Sequence, residues 1–217
     1  MLDVDTEAAF VQVVPEVSMV MGGQHIGSLA FPLENRGQQS SAVAAVALVV
    51  SSLHAPSTWN PALVDAILKY GDVLHTECSR LKRPGARNLS PSEILPLFVV
   101  GDVRARIRLQ RNFSAGIVLE QDLVGALRLF FAKNSRCIFH TANYALALVE
   151  HWSRYYTLDP TERNNYKKSG TEGAACLFKC ESIPKLAKLI VKLCGFKEPT
   201  IYTLNAVEIA ELHFFAQ

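Results

Sequence analysis

The sequence has no long apolar run, no large excess of charge of either sign, and no zinc-type cysteine spacing. Its longest apolar stretch, Ala42–Val50, falls well short of the ~20 residues that a membrane-crossing helix needs. Met1–Glu7 is acidic and no apolar run follows it, which argues against a secretory leader. A soluble chain is therefore expected. A net charge of +2 gives no reason to expect strong non-specific attraction to nucleic acid or to anionic membranes. Cys78, Cys137, Cys176, Cys180 and Cys194 are odd in number and irregular in spacing, with no CxxC pair and no histidine cluster beside them. No metal or other cofactor is expected from them. Reduced thiols packed as small hydrophobes fit a reducing compartment, cytoplasm or nucleus. The signature of disorder is missing too, because 49% of the 217 residues are hydrophobic and only 19% are charged. That length accommodates one sizeable core, and a single domain over residues 1–217 is expected.

The first half reads as helical. A short strand is expected within residues 9–21, followed by a Gly, Gln, Asn and Ser-rich loop over 22–40. Ser40 and Ser41 then lead into Ala42–Val50, apolar on all sides, whose length and alanines favour a buried helix with a serine available as its cap, while its valines support a buried strand as the competing reading. Asn60-Pro61 opens a second helix, in which Leu63, Ile67, Tyr70 and Leu74 share a face. Ser90-Pro91-Ser92-Glu93 has the form of a capping box starting a short helix that Pro96 limits. Val103–Gln110 alternates as a strand, and Asp122–Ala132 has helical spacing. The second half is strand-rich, with strands at Cys137–Ala142, Tyr144–Glu150, Arg154–Asp159, Ala174–Cys180 and Thr200–Glu208. A polar loop spans residues 160–173. An amphipathic helix, Ser182–Cys194, is stopped by Gly195 and carries Lys185, Lys188 and Lys192 opposite its apolar face. Helices followed by a meander of strands make an α+β fold rather than alternating βα units.

Several segments carry more information in order than singly. A loop holds Gly22-Gly23-Gln24-His25. The segment Arg36-Gly37-Gln38-Gln39-Ser40-Ser41-Ala42 runs into the buried helix. Val64–Leu74 contains Tyr70-Gly71-Asp72-Val73-Leu74, and a late strand ends Tyr155-Tyr156-Thr157-Leu158-Asp159-Pro160-Thr161. This series, over about residues 20–195, resembles the herpesvirus large-tegument deubiquitinases and related papain-like cysteine proteases of viruses and mobile elements. The resemblance implies a papain-like fold, with a helical N-terminal half packed on a mostly antiparallel sheet. It also implies a site in which a glutamine stabilises the oxyanion, a cysteine opens the buried helix, and an Asp-x-His motif ends the late strand. Carried onto this chain, Gln24 takes the oxyanion position, Ser40 the nucleophile position and Asp159 the acid position. Thr161 stands where the family has histidine.

Two of these departures remove the chemistry. A thiol protease depends on a thiolate whose proton passes to a neighbouring imidazole. An alcohol needs such a base even more, and a threonine hydroxyl accepts no proton at neutral pH. Losing one member of a triad costs several orders of magnitude in rate. The expectation is a pseudoenzyme, a deubiquitinase-like interaction or scaffold domain whose partner is a protein, with ubiquitin the first candidate. If viral, it would be virion-associated. One alternative is an active ubiquitin-specific protease, either caught with an engineered cysteine-to-serine change or rebuilt around Ser40 with a displaced histidine such as His140 or His151. Another is a nucleic-acid-binding module using Arg80–Arg87 and Lys167-Lys168, which the near-neutral charge and the lack of interleaved aromatics disfavour.

Overall fold

The computed structural model describes residues 10–82, 88–142, 144–163, 173–195 and 198–215. The expectations placed on Met1–Glu7, on residues 83–87 and on the Lys167-Lys168 loop fall outside these. In chain order the strands are β1 (Val11–Val14), β2 (Val17–Met21), β3 (Leu97–Val100), β4 (Val103–Ile117), β5 (Arg136–Thr141), β6 (Tyr144–His151), β7 (Arg154–Arg163), β8 (Ala174–Cys180) and β9 (Ile201–Phe214). The helices are α1 (Ser40–Leu53), α2 (Pro61–Lys82), α3 (Glu120–Phe131) and α4 (Ile183–Cys194). All nine strands join one sheet in the order β1-β2-β8-β7-β6-β5-β9-β4-β3, and every pairing is antiparallel. The fold is α+β, with a helical first half against an antiparallel sheet.

Side-chain alternation along the strands gives each face of the sheet its own core. Ile138, Ala145, Ala147, Leu158 and Leu177 face α1 and α2. Cys137, Phe139, Leu146, Leu148 and Phe178 face α3 and α4. Helix α1 is the centre of the first core. Every residue from Ser40 to Ser51 is buried, because α1 lies between the sheet and α2 and must be apolar all round. Its close approach to α2 depends on Gly71. A Cβ there would sit 2.4 Å from Val43 Cγ2 and 2.7 Å from Val43 Cα, so no larger residue fits without parting the helices.

Several boundaries differ from the sequence expectation. The cap of α1 is Gln39, and Ser40 is its first helical residue. Ser41 is spent elsewhere, donating to the Leu89 carbonyl at 2.5 Å. The Ser90–Glu93 capping box forms, but it closes only a single tight turn, Pro91–Glu93. Strand β7 continues through Pro160 to Arg163, where a loop was expected, and its pairing with β8 shifts register between Asp159 and Arg163. A proline is tolerated in a strand at such an irregularity. Strand β9 runs to Phe214, past Glu208, because β4 pairs with it that far.

Candidate functional site

The loop between β2 and α1 is stitched to three neighbours by its backbone. The Gly22 amide donates to the Ala175 carbonyl at 2.9 Å, and the Ala175 amide donates back to Gln24 at 2.7 Å. The Ile26 amide donates to the Pro160 carbonyl at 3.0 Å, while the Ile26 carbonyl accepts from Gly37 at 2.9 Å. Ile26 therefore ties the end of β7, between Asp159 and Thr161, to the segment that enters α1 at Ser40. The backbone thus links the Gln24 loop to Pro160, next to Asp159, and to Gly37, three residues before Ser40.

Two carboxylates on α2 hold the loop in shape. Asp65 accepts the Gly23 amide at 2.9 and 3.0 Å and the Gln24 amide at 3.1 Å. A Cβ on Gly22 would lie 2.6 Å from Asp65 Oδ1, so the glycines of Gly22-Gly23-Gln24 are there to let this carboxylate reach the backbone. One turn past Leu68, Asp72 accepts the Asn35 side chain at 2.8 Å and the Gln39 side chain at 3.0 Å. Asn35 also donates to Thr76 at 2.8 Å. Gly71 and Asp72 thus act together: one lets the helices touch and the other fixes the chain just before Ser40. Gln24 Oε1 is buried without a hydrogen-bond partner, the kind of unsatisfied group that calls for an explanation.

Asp159 is fully buried, and both of its carboxylate oxygens have partners. Thr161 donates both its amide, at 2.9 Å, and its hydroxyl, at 2.7 Å, to one carboxylate oxygen. Arg163 Nε pairs with the other. The Arg163 guanidinium also donates to Tyr144 Oη at 2.9 Å and to the Leu193 carbonyl at 2.8 Å. Burial opposes the charge on Arg163, but the Asp159 carboxylate and Tyr144 outweigh it and raise its pKa. Burial also pushes Tyr144 well above the ordinary tyrosine range, and Asp159 adds to this. The register pairs Asp159 with Cys176 and Thr157 with Phe178, which places the Asp159 side chain on the α3/α4 face. Helix α1, with Ser40, packs on the other face.

Among the described residues, no imidazole hydrogen-bonds Ser40, Asp159 or Thr161. Four of the cysteines sit in surroundings that disfavour a thiolate. Burial raises Cys176, Cys180 and Cys194 to about 12, with Asp159 contributing at Cys176 and Cys194, and burial raises Cys137 further. His151 stacks on the exposed Trp152 at the β6–β7 hairpin. His140 stands on the α1 face of β5, where burial lowers its pKa and the nearby Glu93 carboxylate pulls the other way. The segment bearing Glu93 also meets the first turn of α1, through Leu89 and Ser41. Arg163 and Tyr144 were missed in the sequence. Arg163 lay in an expected loop, and nothing in a one-dimensional pattern reveals the fold-back contact with α4. No metal-binding cluster of His, Cys, Asp or Glu occurs among the described residues, and none of their helices is long and apolar enough to cross a membrane.

An α+β fold in which the Gln24 loop leads into a helix buried against one face of an antiparallel sheet defines the class. A family model described as the herpesvirus tegument protein, N-terminal conserved region, matches residues 24–213, and the chain belongs to that family. Among solved structures, it is similar to the ubiquitin-specific protease encoded by murine cytomegalovirus tegument protein M48, crystallised in complex with a ubiquitin-based suicide substrate. That likeness has a TM-score of 0.71 at 16% identity, over 92% of this chain and 88% of the other. No curated protein matches the chain.

Proposed function

We propose that this domain is a catalytically inert relative of the tegument ubiquitin-specific proteases, retained as a protein-binding or scaffold module of the virion, with ubiquitin as the first candidate partner. The observation that carries this reading is the fate of Asp159. At the acid position of the Asp-x-His motif, its two oxygens are occupied by Thr161 and Arg163. With no imidazole bonded to Asp159, the family's route for taking a proton from the Ser40 hydroxyl is missing. In this reading the acid has become a structural ion pair, and the Gln24 loop survives because it ties β7, β8 and α1 together. Ubiquitin binding is proposed because the solved M48 protease was captured on a ubiquitin-based substrate.

The test has two arms. Incubation with a fluorogenic ubiquitin substrate should give no turnover above buffer. Isothermal titration with mono-ubiquitin and di-ubiquitin should give saturable heat if the ubiquitin face is kept, and none if another protein has replaced ubiquitin. Turnover that disappears in Ser40→Ala would overturn inertness. His140 motivates the competing reading, a rebuilt serine-type isopeptidase, because it lies on the face of α1 with Glu93 beside it. That reading requires turnover that is also lost in His140→Gln.

A further inference from the structure

The sheet has an open edge that its strand order conceals. The last pair between β5 and β9 is Cys137 with Ala206. Beyond it β9 continues alongside β4, with Val207 opposite Leu109, Glu208 opposite Arg108 and on to Phe214 opposite Val103. β9 lies between β5 and β4, so among the described residues it is paired on one side only from Val207 to Phe214. Where β5 stops, a cavity of about 530 Å³ opens, lined by Lys133 and Arg136 on one wall and by Arg108, Val207, Glu208 and Ile209 on the other.

The charges in this cleft are unbalanced. Arg108 is matched by Glu208 at 3.3 Å. Among the described residues the hydrogen-bond partners of Arg136 are neutral, Ser51 at 3.1 Å and Ser135 at 3.4 Å. Among the described residues, neither Arg136 nor Lys133 forms an ion pair. A half-buried guanidinium without a carboxylate is a poor arrangement in isolation and a good one for a ligand that brings an anion.

We propose that the cleft receives an extended acidic peptide segment of a partner protein, which adds to β9 as a strand in line with β5 and places carboxylates against Arg136 and Lys133. An open strand edge offers alternating N–H donors and C=O acceptors. Another peptide backbone satisfies both, whereas a nucleic-acid phosphate, with acceptors only, satisfies half. The main chain supplies affinity in this mode, and side chains at alternate positions supply selectivity. The site lies at the Arg136 end of β5, opposite the Thr141 end, and is independent of the Gln24–Ser40 segment.

The probe is a fluorescein-labelled octapeptide alternating valine with glutamate, with a valine–lysine octapeptide and a single-stranded DNA oligonucleotide as controls. Binding is followed by anisotropy at about 50 mM salt, where screening is weak. The glutamate peptide should bind, and hydrogen exchange should show new protection of β9 amides between 207 and 213. Arg136→Gln should weaken binding about tenfold, as expected for losing one charge-assisted contact. N-methylation of alternate peptide amides should abolish binding with the protein unaltered, which keeps the test valid if the Arg136 variant folds poorly. No binding, equal binding of the lysine peptide, binding without β9 protection, or displacement of the peptide by the oligonucleotide would each overturn the proposal. So would β9 protection that rises with protein concentration alone, because a second copy would then occupy the edge.

Discussion

A carboxylate with no exposed surface persists only if its charge is met, and at Asp159 the partner is Arg163. Arg163→Met removes that partner and leaves Thr161 alone to hold the anion. Breaking a buried pair from one side costs about 3–5 kcal/mol, which in a chain of this size lowers the melting temperature by roughly 6–20 °C. Thermal denaturation at pH 7.5 checks this. An unchanged midpoint would mean that the Arg163 ion pair contributes nothing to the stability of the fold. Chemistry can be tested at the same place. Ser40→Cys alone lacks a base, and Thr161→His alone lacks a thiol. If position 161 keeps its bond to Asp159, the double variant should label with a ubiquitin C-terminal electrophile at least about a hundredfold faster than Ser40→Cys, the usual scale of a positioned acid–base group. Intact-mass measurement of the adduct over time reads this out, and equal labelling of the two variants would detach Thr161 from the base position.

Elements meet in this fold through small residues and borrowed polar groups. Gly71→Ala puts a methyl group into Val43, at 2.4 Å from one side-chain carbon and 2.7 Å from Cα. The backbone cannot yield as a side-chain tip would, so the loss should reach about 1–3 kcal/mol or more. Because Asp72 follows directly and holds Asn35 and Gln39, the variant should also loosen the entry to α1, visible as faster amide exchange over residues 35–41. Melting temperature and exchange together separate a packing loss from a loop effect. The legible parts of the structure were those with local signatures. The all-apolar Ala42–Val50 favoured a helix buried on every side, Pro61 marked a helix start and Gly195 a stop. The order of the Gln24, Ser40 and Asp159 segments pointed to the family and the fold. The less legible parts depend on distant partners. Pro160 and Arg163 lie in a strand because β8 and the Ile26 amide receive them, and the last stretch of β9 is a strand because β4 is long enough to pair with it. The Asp159–Arg163–Tyr144 network joins residues of β6 and β7 and the end of α4, which no periodicity connects.

Across the whole molecule, packing two cores against the two faces of one sheet places ionisable side chains in poorly solvated positions, and this sets the response to acid. His75 is buried in α2, its Nδ1 without a partner. Burial lowers its pKa, with Asp72 opposing. Burial likewise lowers His140, with Glu93 opposing. A histidine whose folded pKa lies below its unfolded value binds fewer protons when folded. Its contribution to stability is therefore complete above the unfolded value near 6.5 and is lost as pH falls through that value toward the folded one. Stability should accordingly decline between about pH 7 and pH 5, in the range where the unfolded chain protonates both imidazoles. Urea unfolding at half-unit pH steps should show this slope, and His75→Met with His140→Gln should flatten it while the stability at pH 8 changes far less. A slope unaffected by both substitutions would place the acid sensitivity in the carboxylates and remove the two histidines from the account.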